Sequence, residues 1–135
     1  MVTQIRFPIC HTERIFQFDK VCKRTYLDIA SVNVAINLQH SKGLIESAGL
    51  AAGGVAPVPA FLPKASAWLK GKHCTPDILP ELLDIIQSEI KPISDVRGTE
   101  TYKRLLLSQL IKSTFLAAFP EWGEANILSI RHAAH

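Results

Sequence analysis

The chain has 135 residues, a length that suits one compact domain with a buried core, and we predict a single domain over residues 1–135. Hydrophobic residues make up 47% and charged residues 20% of it, which is typical of a folded globular protein and argues against disorder. The formal net charge of +3 is spread along the chain rather than gathered in one basic segment, so nucleic acid is not an expected partner.

Alternation of apolar and polar residues predicts strands in the first half of the chain. Residues 2–7 form a short candidate strand, and residues 14–24 form a second extended run. The clearest strand covers residues 31–39, where every second side chain is apolar and Asn33 lies on the opposite, polar face. Residues 44–52 are then predicted to pair back on this strand as a hairpin.

Proline and glycine positions divide the second half of the chain. The three prolines of residues 55–63 predict an extended loop that is neither helical nor part of the sheet. Helices are predicted over residues 64–70, 75–90 and 99–119. Residues 121–135 carry the weakest pattern and are predicted to be a poorly defined tail.

Cap residues mark two of the predicted helix ends, and the third helix ends in an apolar turn. Gly71 is the predicted C-terminal cap of the first helix, and Thr75, which precedes Pro76, is the predicted N-cap of the second. Residues 115–119 of the third helix are apolar all round, which indicates burial on two sides, either within this domain or against another chain. Strands first and helices afterwards predict an α+β fold, an antiparallel sheet of three or four strands with about three helices packed on one face.

The cysteines and histidines show no metal-ligand pattern. The three cysteines are too far apart to form C-x-x-C pairs, and the five histidines lack H-E-x-x-H or similar spacing, so no metal site is expected. An odd number of scattered cysteines is typical of reduced thiols in a cytosolic protein. No stretch reaches the roughly 18 apolar residues of a membrane span, and the N-terminus has no signal-peptide pattern. We therefore expect a cytoplasmic location and no membrane partner.

Three sequence motifs, in a fixed order along the chain, indicate a family resemblance. Residues 18–30 read FDKVCKRTYLDIA, residues 50–59 read LAAGGVAPVP, and residues 91–110 read KPISDVRGTETYKRLLLSQL. In this order, and with predicted helices between the second and the third, they resemble the C-terminal domain of the FAD-binding flavoprotein part of molybdenum hydroxylases, the xanthine dehydrogenase and carbon monoxide dehydrogenase family. The resemblance extends over about residues 3–119, and it implies the same α+β domain.

The resemblance implies an accessory role. In that family, FAD takes electrons from iron–sulfur centres and passes them to NAD or another acceptor, and glycine-rich loops of an upstream FAD-binding lobe hold the cofactor. This chain would wall the flavin site and dock redox partners, which would be the upstream lobe and the iron–sulfur and molybdopterin subunits or domains. No catalytic residue is assigned to it. The position of Met1 leaves an excised domain, a split subunit or a shortened gene product as alternatives.

Five residues are the candidate cofactor contacts that the resemblance suggests. Arg24 and Asp28 match a basic residue and an acid four positions later, and they would hold polar groups near the flavin or form an ion pair that pins the following strand. Gly53 and Gly54 would let the backbone pass close to the cofactor, or would form a tight turn before the proline segment. Asn33 would meet the flavin, or would lie on a solvated face.

The third motif precedes and begins the third predicted helix. Asp95, Arg97 and Tyr102 lie at or before the start of the third helix, where a structural cap and docking clasp is preferred over direct chemistry. The alternative function is a stand-alone interaction or dimerisation module without redox activity, so a homo-oligomer stays open. An independent enzyme is least favoured, because no nucleophile and base pattern is found.

Overall fold

The structure is a computed structural model that describes residues 1–6, 14–24 and 28–123. Four strands form one antiparallel sheet in the order β1-β2-β3-β4, namely β1 Arg14–Val21, β2 Val32–Ser41, β3 Leu44–Gly53 and β4 Ala60–Phe61. The helices are α1 Pro63–Leu69, α2 Leu79–Glu89 and α3 Glu100–Ala118, with a 3-10 turn at Pro76–Ile78 before α2. The predicted α+β class, with its antiparallel sheet and about three helices, is confirmed.

A tight turn joins β2 to β3. Lys42 and Gly43 have positive φ values of 49° and 78°, and a turn with two such residues matches the right-handed twist of a hairpin. The register then places Val34 opposite Ala52. The hairpin predicted from residues 31–39 and 44–52 is therefore confirmed.

The helices cover one face of the sheet. Helix α3 packs across β1 and β2, α1 packs on β3, and α2 packs on α1 and α3. Every second residue of β2 points toward these helices and is 0% exposed, namely Val32, Val34, Ile36 and Leu38. The residues between them, including Asn33, face the other side of the sheet, which no helix of the described residues covers.

Two strand predictions are corrected. Residues 1–6 are exposed and pair with no strand of the described residues, so the strand predicted over residues 2–7 is wrong over 2–6, and residue 7 lies outside that part of the chain. The prediction rested only on the alternation of apolar and polar residues. Val2 and Ile5 are 78% and 77% exposed, so their side chains do not pack on the sheet. The loop predicted over residues 55–63 does join the sheet, because β4 Ala60–Phe61 pairs with β3. Ala60 and Phe61 lie between Pro59 and Pro63 and, unlike proline, carry backbone N–H groups, so this short segment can form the edge strand of the sheet.

The helix ends follow the predictions except at Thr75. Gly71 follows α1 with a φ of 81°, as a C-terminal cap requires. Thr75 precedes a 3-10 turn rather than an α-helix, and its side chain makes no capping hydrogen bond, so the predicted N-cap is corrected. Thr99 does cap α3, since its Oγ1 accepts a hydrogen bond from the backbone N–H of Tyr102 at 3.1 Å.

The apolar end of α3 is buried within this chain. Phe115 is 0% exposed and Phe119 is 4% exposed. Phe119 stacks on Trp122 with ring centroids 4.7 Å apart and planes inclined by 10°. Of the two explanations for this apolar turn, packing inside the domain is the one observed. Residues 124–135, most of the predicted tail, lie outside the described residues. In the described part of the chain, no helix has the length and apolar character needed to cross a membrane.

Candidate functional site

The five predicted contact residues line two adjoining hollows at one end of the sheet. The Arg24 hollow encloses about 250 Å³ and is lined among others by Arg24, Asp28, Ile29 and Arg97. The Gly53 hollow encloses about 240 Å³ and is lined among others by Asn33, Gly53, Gly54, Ile29 and Arg97. Ile29 and Arg97 belong to both, so the structure brings all five residues to one continuous concave region.

Asp28 fixes the backbone, while Arg24 leaves its charge in solvent. The backbone N–H of Arg24 donates to Asp28 Oδ2 at 2.8 Å, whereas Arg24 Nε lies 3.9 Å from the same oxygen. The Arg24 side chain is 80% exposed and that of Asp28 is 16% exposed. The carboxylate therefore holds the backbone at Arg24, and the guanidinium stays available to a bound group or a partner.

Asn33 and Gly53 are cross-strand neighbours on β2 and β3. A Cβ atom on Gly53 would lie 2.6 Å from Asn33 Nδ2, so the glycine leaves the space that the Asn33 amide occupies. Asn33 is half-buried and lines the Gly53 hollow. The amide thus has a defined position from which to donate and accept hydrogen bonds.

Gly54 is required by the chain itself. Its φ is +78°, and a Cβ atom there would lie 2.2 Å from the backbone oxygen of Ser31. The tight-turn explanation thus accounts for Gly54 without a ligand. The turn still shapes the Gly53 hollow, because it starts the proline segment that forms the hollow's far side.

A buried lysine that sequence reasoning did not identify holds the turn at residues 95–98. Lys103 on α3 is 2% exposed, and its Nζ lies 2.8 Å from Asp95 Oδ2 and donates to the backbone oxygen of Ile93 at 2.8 Å. Asp95 Oδ1 in turn accepts from the N–H of Arg97 at 2.8 Å. The signal was present, since Lys103 lies on the same helical face as Leu107 and Ile111. Lys103 thus positions the turn that presents Arg97 between the two hollows.

The same turn is tied to the segments around β1 and β2. Lys23 Nζ donates to the backbone oxygen of Val96 at 3.0 Å, and Ser31 Oγ donates to that of Arg97 at 3.4 Å. The predicted role of Asp95 as part of a structural clasp agrees with these contacts. Tyr102, by contrast, packs against Gly98 and lines neither hollow.

Asp95 should make the stability of the fold fall at acid pH. The hydrogen bond from Lys103, followed by the backbone N–H of Arg97, lowers the pKa of Asp95 below its ordinary value of 3.8. A carboxylate whose folded-state pKa is depressed contributes stability above its unfolded-state pKa and loses it as the pH falls through the folded-state pKa. We expect the urea midpoint to fall as the pH drops below 3.8, and Asp95→Asn to flatten this decline. Equal pH profiles for both proteins would contradict the ion pair.

Metal chemistry finds no support in residues 1–6, 14–24 and 28–123, where no three His, Cys, Asp or Glu side chains are grouped as a metal site would need. Cys22 and Cys74 are free thiols. Burial, followed by the charge of Glu121, raises the pKa of Cys74, which makes this thiol less reactive. In the Arg24 hollow, the Ser31 hydroxyl donates to the backbone oxygen of Arg97 rather than to the Asp28 carboxylate.

Comparisons with known proteins identify the family of the chain. A family model described as the CO dehydrogenase flavoprotein C-terminal domain matches residues 17–118. The glyceraldehyde dehydrogenase medium chain of Sulfolobus acidocaldarius is 30% identical over 121 residues, which cover 90% of this chain and 41% of that one. This chain therefore spans about two fifths of the length of that relative.

Solved structures share the fold. Carbon monoxide dehydrogenase from Hydrogenophaga pseudoflava matches with a TM-score of 0.76 and 26% identity, over 84% of this chain and 39% of that one. Quinoline 2-oxidoreductase from Pseudomonas putida 86 matches with a TM-score of 0.70 and 22% identity, over 79% of this chain and 37% of that one, which shows the fold alone. The resemblance inferred from the three motifs is confirmed, and the chain belongs to the family of CO dehydrogenase flavoprotein C-terminal domains, a part of the molybdenum hydroxylases.

Proposed function

We propose that the chain is the accessory domain of an FAD-dependent oxidoreductase of the xanthine dehydrogenase type, and that it closes one side of a flavin site held mainly by an upstream lobe. The observation that carries the proposal is the convergence of Arg24, Asp28, Asn33, Gly53 and Gly54 on the two adjoining hollows. Family membership supports FAD as the cofactor of the complete protein. The iron–sulfur and molybdopterin parts of such an enzyme are the further partners in this proposal.

The hollows fit the edge of a flavin rather than the whole cofactor. Each encloses less than the roughly 300–1,000 Å³ of a complete ligand pocket. The sequence contains no G-x-G-x-x-G loop, the element that cradles a dinucleotide phosphate. What this chain offers is a hydrogen-bonding wall, with guanidinium groups at Arg24 and Arg97, an amide at Asn33, and apolar surface at Ile29.

Each group has a defined task in this wall. Bound FAD would supply the electron-transfer chemistry, and the protein would set its position and surroundings. Arg97, fixed between the hollows by its turn, would donate to a polar edge of the ring system or to an acceptor beside it. Asn33 would orient a second polar atom, and Ile29 would exclude water.

The proposal is tested with the part of the Sulfolobus acidocaldarius medium chain that lies outside its matched region, first shown to fold alone and to bind FAD, and then mixed with the purified 135-residue chain. We expect complex formation to shift the visible flavin absorbance and to slow flavin quenching by iodide, because one side of the ring becomes covered. Arg97→Gln and Asn33→Ala should each reduce the shift without abolishing binding. Lys112→Gln, an exposed cation on α3, is the matched control. A complex whose flavin spectrum and quenching stay unchanged would refute the proposal.

A further inference from the structure

The sheet face opposite the helices carries an aromatic trough. Phe16 and Phe18 on β1 and Phe61 on β4 are 60%, 52% and 60% exposed, which is unusual for large aromatic side chains. They lie on either side of a floor made of the small residues Ala35, Gly49 and Ala51 and of the polar Asn37, which stands between Phe16 and Gly49. We call these seven residues the aromatic trough.

Cross-strand pairing sets the shape of the trough. Phe18 pairs with Ala35, Ala35 with Ala51, and Ala51 with Phe61, so one row crosses all four strands from aromatic wall to aromatic wall. Three strand spacings of about 4.8 Å place the backbones of β1 and β4 roughly 14 Å apart. The Phe61 ring leans toward Gly49 of β3, so that its Cε2 would lie 3.8 Å from a Cβ atom there. The hollow in the floor encloses about 230 Å³ and its lining is almost wholly apolar.

This face is unlike an ordinary solvated sheet face. Two-layer domains normally place polar side chains on the strand face that the helices do not cover. Here three phenylalanines cluster around alanine and glycine, and exposed clusters of this kind mark interaction sites on folded proteins. The helices of this domain do not cover the three phenylalanines, because α1 and α3 pack on the opposite face of the sheet.

The trough is continuous with the proposed flavin wall. Lys20, Asn33 and Gly53 form the next cross-strand row on the same face, beside the row of Phe18 and Phe61. A lobe that holds a flavin against Asn33 and Gly53 must therefore lie over this face. The chain covers 41% of its curated relative, so most of such a flavoprotein lies outside the matched domain and is available to cover the trough.

We propose that the aromatic trough is the docking seat of the flavin-carrying lobe, which places a large apolar side chain in the hollow beside Gly49. This inference rests on the proposed function for the identity of the occupant. It assigns the binding energy to residues that do not touch the cofactor. Anchors in well-packed, desolvated pockets usually dominate such interfaces.

Gly49 offers a variant that separates docking from folding. Its backbone is ordinary strand, and a Cβ atom there would lie 3.8 Å from Phe61 Cε2, which is normal van der Waals contact. Gly49→Val therefore fills the trough while suiting a strand better than glycine does. We expect it to keep or raise the thermal stability of the isolated chain and to weaken binding of the lobe by about tenfold or more.

The binding assay uses the same FAD-loaded part of the S. acidocaldarius medium chain, followed by calorimetry. Phe61→Ser should weaken binding by about tenfold as well. Leu105→Ser is the control, because Leu105 is 59% exposed on α3, on the helical side of the domain. Equal affinity for wild type, Gly49→Val and Phe61→Ser, or no binding by the wild type, overturns the inference. A wild-type dimer that Gly49→Val converts to a monomer overturns it too, since the occupant would then be a second copy.

The two proposals fail differently. If Gly49→Val weakens binding but the wild-type complex leaves the flavin spectrum unchanged, the docking seat stands and the flavin wall falls. If the trough variants bind normally while Arg97→Gln alters the flavin spectrum, the flavin wall stands and the docking seat falls.

Discussion

Gly54→Ala is expected to lower the free energy of unfolding by about 3 kcal/mol. Part of this cost is conformational, because an L-residue at a φ of +78° loses roughly 1–2 kcal/mol relative to glycine. The rest is steric, since the new Cβ atom would lie 2.2 Å from the backbone oxygen of Ser31. Ser31 cannot retreat freely, because its N–H donates to the backbone oxygen of Val21 at 2.8 Å and so joins β1 to the start of β2. Urea unfolding followed by circular dichroism measures the loss.

Gly43→Ala is a matched control for this prediction. Gly43 has the same φ of +78°, but a Cβ atom there would meet nothing within 4 Å. The variant should therefore show the conformational cost alone, about 1–2 kcal/mol. Gly53→Ala is a second comparison, since its Cβ would meet the Asn33 side chain, which can rotate away. Equal losses for the Gly43 and Gly54 variants would mean that the Ser31 contact is not a constraint.

The sheet was predictable because two local signals agree. In residues 31–38, alternate apolar side chains mark one face of β2, and the turn at Lys42 and Gly43, with positive φ, sets the pairing with β3 apart from one register shift between Gln39 and His40. Residues 2–6 show the limit of alternation alone, because no described strand pairs with them. The start of α1 shows another limit. Its first N–H groups are satisfied by Glu89 of α2, whose carboxylate accepts from Lys64 and Ala65 at 2.8 Å each, and no local pattern predicts a cap from 24 or 25 residues away.

The candidate site was only partly predictable, for a related reason. Arg24 and Asp28 are close in sequence, so their proximity requires no knowledge of the fold, but the hydrogen bond is made by the backbone N–H of Arg24 rather than by its guanidinium. The proximity of Asn33 to Gly53 needs the strand register, which the hairpin turn fixes. Arg97 reaches both hollows through a turn held by Lys103, and a lysine in a helix is normally assigned to the solvent side. The aromatic trough was missed because Phe16 and Phe18 suit a core strand as well as an exposed one.

Lys103→Ala is expected to lower the free energy of unfolding by about 3 kcal/mol. The lost ion pair and its hydrogen bonds account for only about 1 kcal/mol of this, because the Asp95 side chain is 30% exposed and water can take over its charge. The substitution also leaves a cavity beside Leu107 and Ile111, and it removes the hydrogen bond to the backbone oxygen of Ile93. Chemical unfolding at neutral pH measures the change.

Lys103→Met separates packing from charge. Methionine nearly conserves the buried volume, so its cost should be about 1 kcal/mol, from the lost ion pair and hydrogen bond alone. Both variants should also release the turn at residues 95–98, because Asp95 then keeps only the N–H of Arg97 and the backbone bonds to Gly98. Arg97 would lose its fixed place between the hollows, so Lys103→Met should reduce the flavin response of the complex as Arg97→Gln does. A Lys103→Met protein with an unchanged flavin response would mean that the ion pair only stabilises the fold, and does not position Arg97.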